Sequence, residues 1–292
     1  MNVLVLGGDL RYLEIINNLS FKYDIDVVGY KNTYINDKVK NINICSVDIS
    51  KYDIIIFPVN GVMDKNLINC RFNNVPIKLD NDLLVGTKEN VLIFSGISTP
   101  ALNNMLKLAD RECTFLMKDD DIVKGNSLLT AEGIIADIII NTEKSLNNED
   151  ILVLGYGNIG KVLVKYLSLF NSNITVGIID YNDKLLLDQL GINNFFTNDF
   201  SLLKESIGKA DVIVNTVPNV IIDEKNYKYI NKDSYILDIS SHPHGFNQYS
   251  LDELFIKNKL YLGIPGKVAP ITAGKILSKK ITKVMEEKIQ WK

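Results

Sequence analysis

Cysteine is scarce in this chain. Its 292 residues hold three, Cys45, Cys70 and Cys113, far apart and without a C-x-x-C pair. An odd count with no metal-like spacing argues against a disulfide framework or a metal cluster and suits a reducing cytoplasm. Long apolar runs are also missing, so no segment is expected to span a bilayer. The net charge is only −3, too weak a field to favour nucleic acid or an anionic membrane. No low-complexity segment stands out. The opening MNVLVLGGDL lacks a basic flank and runs directly into a strand, so no signal peptide is expected. Histidine occurs twice, at His242 and His244, and no arginine follows Arg111. The length suffices for two domains of ordinary size.

What is present is organised around Ile151 to Gly160, ILVLGYGNIG. A short apolar run ends in Gly155, Gly157 and Gly160. Apolar residues at Val162, Leu163, Tyr166, Leu167 and Phe170 follow at helical spacing. A strand, a G-x-G-x-x-G turn and a helix form a unit that binds the pyrophosphate of a dinucleotide. Gly155 permits the turn, Gly157 lets the backbone approach the phosphates, and Gly160 lets helix and strand pack closely. The anion then meets unpaired N–H groups at the helix N-terminus. A second apolar run, Ile174–Ile179, ends in Asp180, about 20 residues past the last glycine, where a ribose-binding carboxylate belongs. An aspartate there accepts from both ribose hydroxyls and repels a 2′-phosphate. NAD is therefore expected, with NADP as the alternative. The cofactor-binding set is Gly155, Tyr156, Gly157, Asn158, Ile159, Gly160, Asp180 and Tyr181, joined by Asn215, Thr216, Val217 and Pro218 at a later strand end.

The chain opens with a similar device. Val3–Leu6 runs into Gly7-Gly8-Asp9, and a helix carrying Leu10, Leu13, Ile16 and Leu19 follows. This copy lacks the third glycine and puts an acid where phosphates would sit, so it reads as a Rossmann-like half without a dinucleotide. Short apolar runs at Asp26–Tyr30, Asp53–Val59 and Val91–Phe94 alternate with helical patterns. The fold class is therefore α/β: two Rossmann-like domains, each with a mostly parallel sheet. The first is expected to comprise residues 1–125 with a returning C-terminal helix, 270–292. A bridging helix and linker occupy 126–145, and the dinucleotide domain 146–269. Asp119-Asp120-Asp121 reads as a solvated turn. The bridging helix is expected from Asn126 or Ser127 to about Asn141, with Leu128, Ala131, Ile135, Ile138 and Ile139 as its apolar stripe. In the second domain, strands are expected at Asp211–Val217, Ser234–Ser240 and Lys259–Ile264.

Ligands in such sheets bind beyond the carboxyl ends of the strands, so the candidate chemistry lies there and at the start of the bridging helix. His242 and His244 share one strand-end loop. Either could relay a proton near neutral pH, or the loop could simply be surface. Glu132 could act as a base or only complement a helix dipole. Arg11 could clamp a carboxylate or pair with Asp9 or Glu14. Ser95, Gly96 and Ser98 could hold a carboxylate, or Ser98 or Thr99 could only cap the helix that follows. Asn126, Ser127 and Thr130 occupy the first turn of the bridging helix. Lys267 is either a carboxylate contact or a solvated charge.

With Gly7-Gly8-Asp9, FSGIS, NSLLTAEG, VLGYGNIG, NTVP, LDISSHPHG and GIPGKVAPITAGKIL in order, the chain resembles the dipicolinate synthase A-subunit family over nearly its full length. The wider architecture is similar to that of D-2-hydroxyacid dehydrogenases and adenosylhomocysteinase. The resemblance implies oxidation of dihydrodipicolinate, or of hydroxy-tetrahydrodipicolinate after dehydration, to dipicolinate. It implies the cytoplasm of the mother cell of a sporulating bacterium and a partner, the dipicolinate synthase B-subunit; the chain could also assemble with itself. It places Gly155, Gly157 and Gly160 on the pyrophosphate and Asp180 on the ribose. Ser95, Asn126, Thr130, Glu132 and Lys267 become candidate residues for a small dicarboxylate. Two features depart from the family pattern. Asp180 stands where an Arg-Ser ending would suit NADP, and SSHPHG replaces a form closer to S-R-P-G-G.

Two rival readings remain. Another 2-hydroxyacid-type dehydrogenase would need an arginine and an acid–histidine pair in the cofactor domain, and the absence of arginine after Arg111 argues against it. A non-catalytic subunit that binds NAD and regulates a partner would bind the nucleotide without turnover.

Overall fold

A computed structural model of the chain describes residues 1–31 and 34–290, the side chains of 289 and 290 excepted. The chain divides into two compact units, Met1–Gly125 with Ala269–Lys292, and Asn126–Val268.

In the first unit, β1 (Asn2–Leu6), α1 (Leu10–Leu19), β2 (Asp24–Val28), β3 (Val39–Ile42), β4 (Ile54–Ile56), a small antiparallel pair β5 (Leu67–Ile68) and β6 (Ile77–Lys78), β7 (Leu92–Ser95), α2 (Pro100–Ala109) and β8 (Thr114–Phe115) follow in order. The main sheet runs β3-β2-β1-β4-β7-β8, parallel throughout. β1 and β4 are wholly apolar where they pair, as strands covered on both faces must be: Val3, Leu4, Val5, Ile54, Ile55 and Ile56 are all buried.

The helix α3 (Asp120–Thr142) starts six residues before the expected position. Asp119 is its cap, not part of a solvated turn: one carboxylate oxygen accepts from the backbone N–H groups of Asp121 and Ile122, as an N-cap aspartate does. The buried face of α3 in the second unit is Ala131, Ile134, Ile135 and Ile138, a helical i, i+3, i+4, i+7 stripe. Leu128 and Ile139, expected on that stripe, are exposed because the face is centred one position away.

The second unit continues with β9 (Asp150–Leu154), α4 (Asn158–Leu169), β10 (Asn173–Ile178), α5 (Tyr181–Gln189), β11 (Asn193–Phe196), α6 (Phe200–Lys209), β12 (Val212–Asn215), β13 (Tyr235–Asp238), α7 (Gln248–Glu253), β14 (Asn258–Leu260) and α8 (Ile264–Val268). Its sheet order is β11-β10-β9-β12-β13-β14, again all parallel. Numbered within each sheet, both run 3-2-1-4-5-6, the doubly wound order whose switch point lies between the first and fourth strands. One apolar cluster fills each face of the second sheet. The strand expected over Lys259–Ile264 is shorter. Gly263 turns the chain at φ +66°, and Pro265, Gly266 and Lys267 lie inside α8, not in a loop. Gly133 lets α3 lie on α8: a Cβ there would stand 2.2 Å from Ile264 Cγ2.

The last helix, α9 (Pro270–Gln290), belongs to the first unit. Trp291 and Lys292, expected to extend it, lie outside the described residues. It packs on α1 at close range, with a Cβ on Gly274 reaching 2.4 Å from the carbonyl oxygen of Arg11.

Candidate functional site

The two glycine turns differ in what stands over them. In the second unit Gly155 has φ +98°, a conformation glycine adopts freely. A Cβ on it would meet Thr216 Oγ1 at 2.4 Å. That hydroxyl donates to the carbonyl of Leu154 at 2.9 Å, which ties the turn to the end of β12. A Cβ on Gly160 would stand 2.3 Å from the carbonyl oxygen of Gly155, whereas one on Gly157 would meet nothing within 4 Å. Gly157 caps α4 and has no side chain to offer its first N–H groups, so those donors face open space where an anion is favoured.

In the first unit the equivalent space is filled by the chain itself. Gly8 N–H donates to Asn69 O at 2.9 Å, and Arg71 N–H donates to Gly8 O at 2.9 Å. Asp9 caps α1 by accepting from Arg11 N–H. The Tyr30 hydroxyl donates to Gly7 O at 2.6 Å. The Asn69–Arg71 segment thus lies along the turn as a β-bridge partner.

Around the open turn, Asp180 is exposed at the end of β10 and caps α5, accepting from Asn182 N–H at 2.7 Å through one oxygen. Tyr181 beside it is exposed. Tyr156 is buried, which pushes its phenol up. Lys161 Nζ lies 5.4 Å from the centre of its ring and pairs with Asp183 at 3.1 Å. Asn158 is exposed and Ile159 half-buried on the core. Thr216 and Val217 are half-buried and Pro218 exposed. This edge fits a dinucleotide: open N–H donors, a clear approach at Gly157 and a surface carboxylate one strand over.

Four of the expected ligand contacts are engaged by the protein itself. Asn215 is fully buried and turns its amide inward, donating to Val217 O at 2.9 Å and to Asp238 Oδ1 at 2.9 Å. Its amide is spent on the strand end itself. Arg11 is 6% exposed, and its guanidinium grips Asp9, with Nη2 to Oδ2 at 2.6 Å, so the pairing alternative is the one realised. Ser95 is 0% exposed and its hydroxyl donates to Ile97 O at 3.0 Å. Gly96 is buried against Val59, whose carbonyl oxygen would lie 2.2 Å from a Cβ. Ser98 is exposed and donates to Asn103 Oδ1 at 3.0 Å, while Thr99 is the cap of α2. On α3, Ser127 and Thr130 are buried, Asn126 is half-buried and Glu132 exposed. Lys267 is exposed, 5.0 Å from the ring centre of Tyr261.

The loop after β13 carries both histidines. His242 is exposed and His244 half-buried, their ring centres 5.6 Å apart. His244 Nδ1 lies 2.8 Å from Ser240 O. Beneath the loop lie three residues not singled out from the sequence, Asp238, Ser240 and Gly245. Each type is common in loops and only their convergence gives them meaning; the sequence signal was an acid at the last position of an otherwise apolar strand. A second buried acid, Asp137 on α3, accepts from Tyr235 Oη at 2.6 Å and pairs with Lys259, at β13 and β14. Among the described residues, no group of three or more His, Cys, Asp or Glu is placed to hold a metal ion, and no helix is long and apolar enough to cross a membrane.

Two parallel sheets of doubly wound order, one with an open glycine turn, define a protein of the Rossmann-like α/β class. Its kinship is narrower than that. A family model described as the N-terminal domain of the dipicolinate synthase A-subunit matches residues 2–117. The dipicolinate synthase A-subunit of Bacillus subtilis (strain 168) is 32% identical over 290 residues, covering 98% of this chain and 96% of the relative. The crystal structure of the dipicolinate synthase A-subunit from Bacillus halodurans superposes with a TM-score of 0.89 at 30% identity, covering 97% of each chain. That of the Bacillus subtilis protein gives 0.88 at 31% identity, covering 100% of this chain and 98% of the other. The chain belongs to the dipicolinate synthase A-subunit family.

Proposed function

We propose that this chain is the A-subunit of a dipicolinate synthase, an oxidoreductase that uses NAD, with NADP as the weaker alternative. Its substrate is dihydrodipicolinate, or hydroxy-tetrahydrodipicolinate after loss of water, and its product dipicolinate. The observation that carries the reading is the Gly155–Gly160 turn, open at Gly157, in a chain related to the dipicolinate synthase A-subunit over 98% of its length.

The N–H groups at the start of α4 hold the pyrophosphate. Asp180 uses one oxygen as a helix cap and offers the other to the ribose hydroxyls, which its charge reserves for a cofactor without a 2′-phosphate. Thr216, Val217 and Pro218 support the nicotinamide end. When bound, the nicotinamide supplies the hydride acceptor. The ring loses one hydride and one proton and becomes aromatic, so the protein's main task is alignment. His244 takes the proton; Glu132 is the second candidate and would also serve as the acid if water must first leave. Lys267 meets a substrate carboxylate. The B-subunit of the synthase is the expected partner, and the mother-cell cytoplasm of a sporulating bacterium the expected location.

The test mixes the purified chain, with and without the B-subunit, with freshly made dihydrodipicolinate and either nucleotide. Absorbance of the reduced cofactor and of the pyridine product is followed. Product with NAD is the expected result. Nucleotide binding without product in any combination removes the synthase reading and leaves a non-catalytic nucleotide-binding protein.

A further inference from the structure

One buried carboxylate organises the loop that carries the histidines. Asp238 ends β13 at 3% exposure. Its Oδ1 accepts from Asn215 Nδ2 at 2.9 Å, Ser240 N–H at 3.0 Å and Ser240 Oγ at 2.7 Å. Its Oδ2 accepts from Gly245 N–H at 2.7 Å. Four donors match the acceptor capacity of an ionised carboxylate and offset its loss of water. The two backbone donors flank the histidine loop, so this one group closes the segment from Ser240 to Gly245 like a clasp.

The clasp has a consequence for His244. Holding Ser240 by its N–H and hydroxyl directs its carbonyl at His244 Nδ1, 2.8 Å away. A carbonyl only accepts, so in the neutral ring Nδ1 carries the hydrogen and Nε2 keeps its lone pair. His244 sits at φ +69°, a conformation rare outside glycine that persists only when neighbours hold it. Gly245 closes the loop onto the amide, since a Cβ there would lie 2.1 Å from Asn215 Nδ2.

We propose that Asp238 is a positioning residue: through Ser240 and Gly245 it fixes His244 in its Nδ1–H form and presents Nε2 as the proton acceptor. This rests on the oxidation proposed above. In that step the substrate's hydride leaves for the nicotinamide. One other ring hydrogen passes to Nε2 as a proton, and the C–H electron pair it leaves completes the aromatic ring. The resulting imidazolium keeps its Nδ1–H bond to Ser240, which charge strengthens.

Asp238→Asn tests this. The amide oxygen can still serve the Oδ1 donors, but its NH2 then meets the Gly245 N–H donor to donor. With only two histidines in the chain, long-range 1H–15N spectra of the neutral rings assign easily, His242→Asn identifying His244. Wild type should show the Nδ1–H form, and Asp238→Asn a mixture. The dissociation constant for NAD should change by less than about threefold, kcat should fall at least about tenfold, and KM for dihydrodipicolinate should stay within about threefold. Ser240→Ala, a milder change, should give an intermediate mixture and decides the question if Asp238→Asn does not fold. An unchanged tautomer in the folded variant, or NAD affinity falling in step with kcat, overturns the proposal. The spectra and NAD titration need no turnover, so they judge Asp238 even if the chain makes no dipicolinate.

Discussion

A Cβ on Gly160 would stand 2.3 Å from the carbonyl oxygen of Gly155, while one on Gly157 would touch nothing within 4 Å. The fold therefore demands glycine at position 160, while the proposed phosphate contact is what would demand it at 157. Gly160→Ala forces backbone apart and should cost about 1–3 kcal/mol of stability. Gly157→Ala, at an ordinary φ of −78°, should leave stability within about 0.5 kcal/mol. It should nonetheless weaken NAD about tenfold or more by obstructing the pyrophosphate. Urea unfolding and nucleotide titration of both variants check the split; a Gly157→Ala chain that binds NAD like wild type would falsify the assignment of that space to phosphate.

Asp180 caps α5, and the ribose contact proposed for it can be tested separately from that role. Asp180→Ala loses the α5 cap, at a cost of about 1 kcal/mol, together with any ribose contact. Asp180→Ser retains a cap for Asn182 N–H but removes the charge. In the serine variant stability should be near wild type, and the preference for NAD over NADP should fall about tenfold. The ratio of the two dissociation constants is the readout, and equal weakening of both nucleotides would show that Asp180 does not meet the ribose.

The Asp9–Arg11 pair should matter to folding and not to nucleotide affinity. Arg11 is buried, and Asp9 both neutralises it and caps α1. Asp9→Ala strands the guanidinium and removes the cap, so a loss of about 2–4 kcal/mol is expected. NAD affinity, proposed for the other unit, should not change. Denaturant midpoints and NAD titration on the same samples check both halves.

Asp119 joins the start of α3 to α9 through Lys280 at 2.5 Å. The hydrogen bond with Lys280 lowers the Asp119 carboxyl, and its counterpart raises the Lys280 ammonium. A lowered folded pKa stabilises above the carboxyl's unfolded value and is lost as pH falls through the folded one. A raised lysine stabilises below its unfolded value and is lost as pH rises through the folded one. The stability difference between wild type and Asp119→Ala should thus be flat from about pH 5 to 9, at roughly 1 kcal/mol for the cap and the half-buried, solvent-screened pair. It should shrink below about pH 4 and above about pH 10. Thermal melts across that range measure it; a difference unchanged down to pH 2 would remove the charge contribution.

Much of the architecture can be read from local pattern. Short apolar runs ending in glycine, aspartate or asparagine locate β1, β9, β10, β12 and β13 to within a residue or two, because a strand buried on both faces must be apolar along its length. Strands at the sheet edges are harder. β3, β8 and β11 carry polar residues such as Lys40, Thr114 and Asn194, since an edge strand is only partly covered and its composition resembles a loop. The start of α3 is hidden because three consecutive aspartates look solvated, and only the N–H groups accepted by Asp119 reveal a cap. The Ser95 hydroxyl and the Asn215 amide look available for the same kind of reason: a strand-end position suggests exposure but does not say which way the side chain turns.

The sequence by itself determined the class of fold, the place of the open glycine turn and the acid one strand over, because glycine conformations and the apolar demand of buried strands are local requirements. Only the tertiary structure decided which polar residues face outward. It showed that Asn69–Arg71 fills the turn at Gly8, that Arg11 is claimed by Asp9, and that Asp238, unremarkable in the chain, gathers donors from Asn215, Ser240 and Gly245. These partners lie up to 63 residues apart, as between Gly8 and Arg71, and nothing in the local pattern of one announces the other. A side chain's orientation is set by whatever the fold brings against it.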